Sequence, residues 1–106
     1  MTTSRTEVLV RPAQRADIGR IVELAAQLGY SLKPSRVGST IDDPGDRTLL
    51  VGTDGKLVVG WIALARDTTL LGEGDAWIEG LIVAETHRER GIGSTLLACG
   101  HAWGRK

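Results

Sequence analysis

Two glycines, Gly91 and Gly93, stand between a β-prone run ending at Val83 and an apolar stretch with helical spacing. This junction constrains the chain more than any other feature. The run Leu81-Ile82-Val83-Ala84-Glu85-Thr86-His87-Arg88-Glu89-Arg90-Gly91-Ile92-Gly93-Ser94 reads as a strand end, a short polar connection and the opening of a helix. Unpaired N–H groups at a helix N-terminus bind anions, aided by the positive end of the helix dipole. Glycine at 91 and 93 lets an anion approach the backbone with no Cβ in the way. Arg88 and Arg90 add positive charge, and Ser94 and Thr95 are placed to donate from the first helical turn. The physical reading is a cradle for phosphate or pyrophosphate; the plainer one is a glycine-rich turn with solvated arginines. Two familiar phosphate loops fit badly. A P-loop requires Gly-Lys-Ser/Thr, which is absent. A dinucleotide fingerprint requires a third glycine three residues after Gly93, where Leu96 stands.

The rest of the chain supplies elements to carry that junction. Glu7–Arg11, closed by Pro12, reads as a first strand. Asp17 is an N-cap candidate for a helix whose apolar residues Ile18, Ile21, Val22, Ala25 and Leu28 recur at helical spacing, with Gly29 as its stop. Pro34 opens a weaker helix through Ile41, ended by the turn cluster Asp42-Asp43-Pro44-Gly45-Asp46. Thr48–Gly52 and Leu57–Ala65 flank an Asp-Gly pair and read as a hairpin. Thr68–Gly74 is expected to be a loop and Asp75–Val83 the next strand. Along it, alternation points Trp77, Glu79, Leu81 and Val83 one way and Ala76, Ile78 and Ile82 the other. Apolar residues on both sides of that strand predict a sheet covered on both faces. Gly80 within it marks a bulge or a close approach of another backbone. Gly91–Trp103 is expected to be helical, with Ile92, Leu96, Cys99 or Gly100, and Trp103 facing inward. The order is β-α-α-β-β-β-α.

Length and charge narrow the function. The chain has 106 residues, one small domain at most, with 13 Lys and Arg against 13 Asp and Glu. That balance gives no reason to expect nucleic acid or an anionic membrane as partner. No apolar run approaches a membrane span, and the N-terminus lacks a signal segment, so a cytoplasmic protein is expected. Neither histidine nor the lone Cys99 has metal-ligand spacing, so no metal site is expected. Cys99 reads as a small buried thiol, and His87 as a solvent-facing connector.

Arg88-x-x-Gly91-x-Gly93 resembles the Arg/Gln-x-x-Gly-x-Gly/Ala signature of the GNAT N-acetyltransferase superfamily. The likeness extends from Glu79 to Leu97, to RPAQRADIGRIVELAAQLGY as first strand and helix, and to DGKLVVGWIAL as the second-to-third strand hairpin, so it covers the whole chain. It implies an α/β (α+β) fold: a mixed, mostly antiparallel sheet with helices on both faces, here C-terminally short. It implies that residues 1–106 form a single, partial N-acetyltransferase domain. The activity implied is transfer of an acetyl group from acetyl-CoA directly to a primary amine of a small molecule or peptide. The loop backbone, here Arg88, Glu89, Arg90, Gly91, Ile92, Gly93 and Ser94, would hold the CoA pyrophosphate. The backbone of Leu81, Ile82 and Val83 would pair with the pantetheine arm, and one amide there would polarise the thioester carbonyl. An unprotonated amine is needed, and Glu79, a carboxylate within that strand, is the candidate base; alternatively it only attracts cationic amines. Trp77 and Tyr30 are candidates for the acceptor pocket.

Family members continue past such a helix with a fifth strand, which forms the other wall of the cofactor cleft, and a fourth helix, which often carries a thiolate-protonating Tyr. This sequence stops at the end of the glycine-loop helix. The fourth strand is therefore expected to be an exposed edge, covered in a homodimer by a second copy. The alternative is a catalytically impaired CoA-binding or interaction module derived from such an enzyme.

Overall fold

The computed structural model describes residues 8–66 and 76–105. The expected loop Thr68–Gly74, and the strand ends at Glu7 and Asp75, lie outside the described residues.

Four strands, β1 (Leu9–Pro12), β2 (Arg47–Asp54), β3 (Leu57–Arg66) and β4 (Ala76–Val83), pair in the order β1-β2-β3-β4, every pair antiparallel. Helices α1 (Ile18–Gln27) and α2 (Pro34–Asp42) pack on one face of this sheet and α3 (Ile92–Gly104) on the other. The sheet is thus covered on both sides, as the apolar residues on both faces of the strands require. Val51, Val59, Ile62, Ile21, Leu24, Ile92 and Leu96 are fully buried where the three layers meet.

Local chemistry explains the ends of the elements. Gly29 adopts φ +83°, Gly29 N–H donates to Ala26 O at 3.0 Å and Tyr30 N–H to Ala25 O at 3.0 Å. This is the paired bonding of a Schellman stop, which requires a left-handed residue just past the helix. The helix ends at Gln27, so Leu28 falls outside it and is 42% exposed, while Leu24 takes the inward place beside Ile21 and Ala25. Asp17 does stand at the N-cap of α1, but its carboxylate makes no cap bond there. It reaches back instead, accepting from Gln14 N–H at 2.7 Å and from both Nη atoms of Arg11 at 2.7 and 3.0 Å. Arg15 pairs with Asp42, tying the start of α1 to the end of α2. At the hairpin, Asp54 and Leu57 are the last paired residues and Gly55, φ +63°, leads the two-residue turn. A glycine first in such a loop is the pattern of a type II′ turn.

Two residues of β4 share the space of one on β3. Ala63 pairs with Gly80 and Leu64 with Ile78, leaving Glu79 as the bulge. The extra residue shifts the alternation, so the expected single face for Trp77, Glu79, Leu81 and Val83 does not form. Trp77 and Glu79 lie on the α2 side; Leu81, opposite Ile62, and Val83, beside Gly93, turn towards α3. Gly80 does mark the bulge, which falls on its neighbour Glu79, and it also marks a close approach to a ring: a Cβ there would meet Trp61 Cζ3 at 3.1 Å. On α3 it is Gly100, not Cys99, that faces the sheet, where a Cβ would stand 3.0 Å from Leu64 Cδ2. Cys99 is consequently only half-buried.

Candidate functional site

The junction after β4 is set by backbone conformation. Ala84 N–H closes the β3–β4 ladder on Val59 O at 2.8 Å, and one turn of 3-10 helix, Glu85–His87, follows. Arg88 is extended, Glu89 has φ 64° and Gly91 has φ 79°, ψ 8°. Glu89 is the one non-glycine with positive φ among the described residues. A side chain in that region costs on the order of 1 kcal/mol, so the surroundings hold it there. Alternation of left-handed with ordinary conformations turns successive N–H groups into one concavity, the form of an anion nest. Helix α3 then begins with no side-chain cap, leaving the first-turn N–H groups of Ile92, Gly93 and Ser94 without intrahelical acceptors.

The side chains around this concavity are placed as follows. Arg88 Nε lies 3.4 Å from Val83 O and Nη1 is 4.0 Å from Glu85, both weak contacts that leave the guanidinium largely in water. Thr95, expected as a donor to a ligand, instead donates its hydroxyl to Gly91 O at 3.0 Å, while Ser94 is exposed. A Cβ on Gly93 would meet only Val83 Cγ2, at 3.9 Å, an ordinary van der Waals contact. His87 is not the solvent-facing connector expected. Its side chain is 12% exposed, with Nδ1 2.7 Å from Thr86 Oγ1 and Nε2 3.1 Å from Asp54 Oδ2. It fastens the loop to the β2–β3 turn.

About 13 Å back along β4, four residues at roughly 3.3 Å each, the bulge turns Glu79 into a cavity of about 350 Å³ beneath α1 and α2. Ile21, Val37, Leu49 and Trp61 form its apolar floor, and Arg36, Thr40, Arg47 and Glu79 its rim. Glu79 Oε1 is 3.3 Å from Arg47 Nε, so the candidate base is already ion-paired. Trp77, half exposed, lines the adjoining depression, whereas Tyr30 lines neither cavity and is 65% exposed. Sequence reasoning missed Trp61, Arg36 and Arg47. Trp61 sits in an unbroken apolar run, and only the partnering of Ala63 with Gly80 shows that its ring spreads under that glycine.

The two regions are joined by the outer edge of β4, to which no strand pairs among the described residues. Among the described residues, no three His, Cys, Asp or Glu side chains gather into a metal-binding group, and no helix is long and apolar enough to cross a membrane.

Residues 16–106 match the family model described as Acetyltransferase (GNAT) family. Among solved structures, one described as a putative acetyltransferase from Agrobacterium tumefaciens superposes with a TM-score of 0.81 at 21% identity, over 92% of this chain and 73% of that one. An aminoglycoside 6'-N-acetyltransferase from Acinetobacter baumannii gives 0.78 at 16% identity, over 93% and 72%. A structure described as a transcriptional regulator from Bacillus halodurans gives 0.77 at 25% identity, over 93% and 75%. The likeness to the first two is one of fold. No curated protein sequence matches the chain.

Proposed function

The chain belongs to the GNAT acetyltransferase family, and from that premise we propose that it transfers an acetyl group from acetyl-CoA directly to a primary amine. The observation that carries this reading is the uncapped start of α3 behind the left-handed residues Glu89 and Gly91. A row of free N–H groups at the positive end of a helix is what a pyrophosphate requires.

In this reading residues 1–106 act as one domain. The backbone from Arg88 to Ser94 (Arg88, Glu89, Arg90, Gly91, Ile92, Gly93, Ser94) holds the pyrophosphate of CoA. The unpaired edge of β4, through Leu81, Ile82 and Val83, receives the pantetheine arm as a strand would be received, and an amide at its end polarises the carbonyl. Bound acetyl-CoA would supply a thioester: the amine nitrogen bonds to the acetyl carbon, the C–S bond breaks, the sulfur departs as thiolate and takes a proton from water, and the nitrogen gives up a proton. Glu79 accepts that proton directly or through water, once its carboxylate exchanges Arg47 for the incoming amine. Trp77 walls the acceptor side. The protein acts in the cytoplasm, where a lone thiol such as Cys99 stays reduced. It acts as a homodimer, a reading supported by Trp77 and Ile78, 49% and 46% exposed beside the open edge; a strictly monomeric species in light scattering at micromolar concentration would refute the dimer.

A second reading, a CoA-binding module with impaired catalysis, draws on the pairing of Glu79 with Arg47. Two measurements separate them. Calorimetric titration with CoA should give heat, and acetyl-CoA with a panel of primary amines should release thiol. Heat without thiol release selects the second reading, and no heat at millimolar CoA overturns both. Gly91→Val should abolish the heat. Gly29→Val, which imposes a similar left-handed strain at φ +83° far along the chain, should preserve it.

A further inference from the structure

We infer that the acceptor is a small amine that also carries a carboxylate, of amino-acid size with an apolar side chain, and not a polycation. This inference rests on the acetyl-transfer reading for its reaction, but its argument comes from the cavity behind β4.

The floor residues of that cavity, Ile21, Val37, Leu49 and Trp61, are apolar or aromatic. Trp61 has the one polar side-chain atom there, and its Nε1 already donates to Ile21 O at 3.2 Å. The rim is charged, and unevenly: Arg36 and Arg47 face a single carboxylate, Glu79, which Arg47 shares at 3.3 Å. The Arg36 guanidinium makes no hydrogen bond or ion pair among the described residues. Among the described residues, one guanidinium at the mouth of an apolar cavity thus has no carboxylate bonded to it. The adjoining depression, about 480 Å³, shares Arg36, Arg47 and Glu79 but adds Asp43, Asp46 and Arg66, so there the charges balance.

Each class of amine can be laid against this pattern. A polyamine would set several ammonium groups beside two arginines with one carboxylate to receive them, which like-charge repulsion opposes. A simple apolar amine satisfies the floor and Glu79 but leaves the arginines unused. A zwitterion satisfies all three. Its carboxylate takes the forked donors of Arg36 and Arg47, which frees Glu79 from Arg47 to meet the amine, and its side chain lies on Trp61, Leu49 and Val37. About 350 Å³ is at the small end of ligand sites and suits a molecule of this size.

The test compares L-phenylalanine with phenethylamine, which differ by the carboxylate alone, and with spermidine. Charge-assisted bonds to one carboxylate are worth a factor of about ten or more, so kcat/KM for thiol release from acetyl-CoA should favour phenylalanine over phenethylamine by at least about tenfold. Arg36→Met, which keeps the aliphatic reach and removes the charge, should bring that ratio towards one. Saturation-transfer NMR of the same amines with the CoA-loaded protein gives a readout free of turnover, and the same preference is expected. Equal or better use of phenethylamine or spermidine overturns this inference and leaves acetyl transfer standing. Absence of thiol release from every amine, with the NMR preference intact, overturns acetyl transfer and leaves the carboxylate site standing. Absence of any preference by NMR overturns the site.

Discussion

Gly60 holds the start of α3 against the sheet, and lengthening it by one methyl group should loosen the candidate site from beneath. A Cβ on Gly60 would stand 3.0 Å from Ile82 O, 3.2 Å from Leu96 Cδ1 and 3.5 Å from Ile92 Cγ2. The first of these is a backbone atom of β4 and cannot rotate away. The other two belong to fully or nearly fully buried side chains of the first turns of α3. Overpacking of this kind costs about 1–3 kcal/mol, and the reduced freedom of the unfolded chain returns about 0.5–1 kcal/mol. A net loss of about 1–2 kcal/mol remains, which for a domain of this length lowers Tm by about 5–15 °C. Gly19→Ala is the matched control: its Cβ meets nothing within 4 Å, and the position lies inside α1. There the helix propensity of alanine should raise stability by up to about 1 kcal/mol. Thermal melts of both variants against the parent measure the two signs, and CoA calorimetry on Gly60→Ala should show weakened heat as Ile92 is pushed outward. A Gly60→Ala protein that melts at or above the parent would refute the packing argument.

Further outcomes follow from other contacts. Asp17 is nearly buried and held below its ordinary value of 3.8, chiefly by the hydrogen bonds from Arg11 and with help from the Gln14 N–H. A depressed carboxylate contributes stability that is full above the unfolded value and lost as pH falls through the folded one. Asp17→Asn should therefore cost about 1–2 kcal/mol near neutral pH, and denaturant titrations should show the gap from the parent closing below about pH 3.8. At the loop, Gly93→Ala has 3.9 Å of clearance and a helical position, so its Tm should match or exceed the parent's; because the Gly-x-Gly/Ala signature admits alanine there, CoA heat should persist. Gly91→Ala, at φ 79°, should lower stability by about 1 kcal/mol.

The elements were legible because each rests on local chemistry. The spacing of Ile92, Leu96 and Gly100 makes one face of a helix wherever the chain lies, and α3 begins one residue past the predicted Gly91 because that residue is left-handed. Gly29 predicts a helix stop for the same kind of reason, and the Schellman bonds form there. The family signature was legible because it too is local, a strand end, a turn and a helix start in one short run. His87 was misread because its partner, Asp54, is distant in sequence and meets it only through the β2–β3 turn.

By itself, then, the sequence determined the order of strands and helices, the glycine junction after β4 and the family to which that junction points. All of these depend on residues within a turn or two of one another. The tertiary structure decided the face on which each β4 residue falls: Gly80 hints at a bulge, but only the pairing shows that Glu79 is the extra residue and that the alternation shifts there. It also decided the cavity: Arg36 from α2, Arg47 from β2, Trp61 from β3 and Glu79 from β4 become neighbours only when the sheet pairs and α2 closes over it.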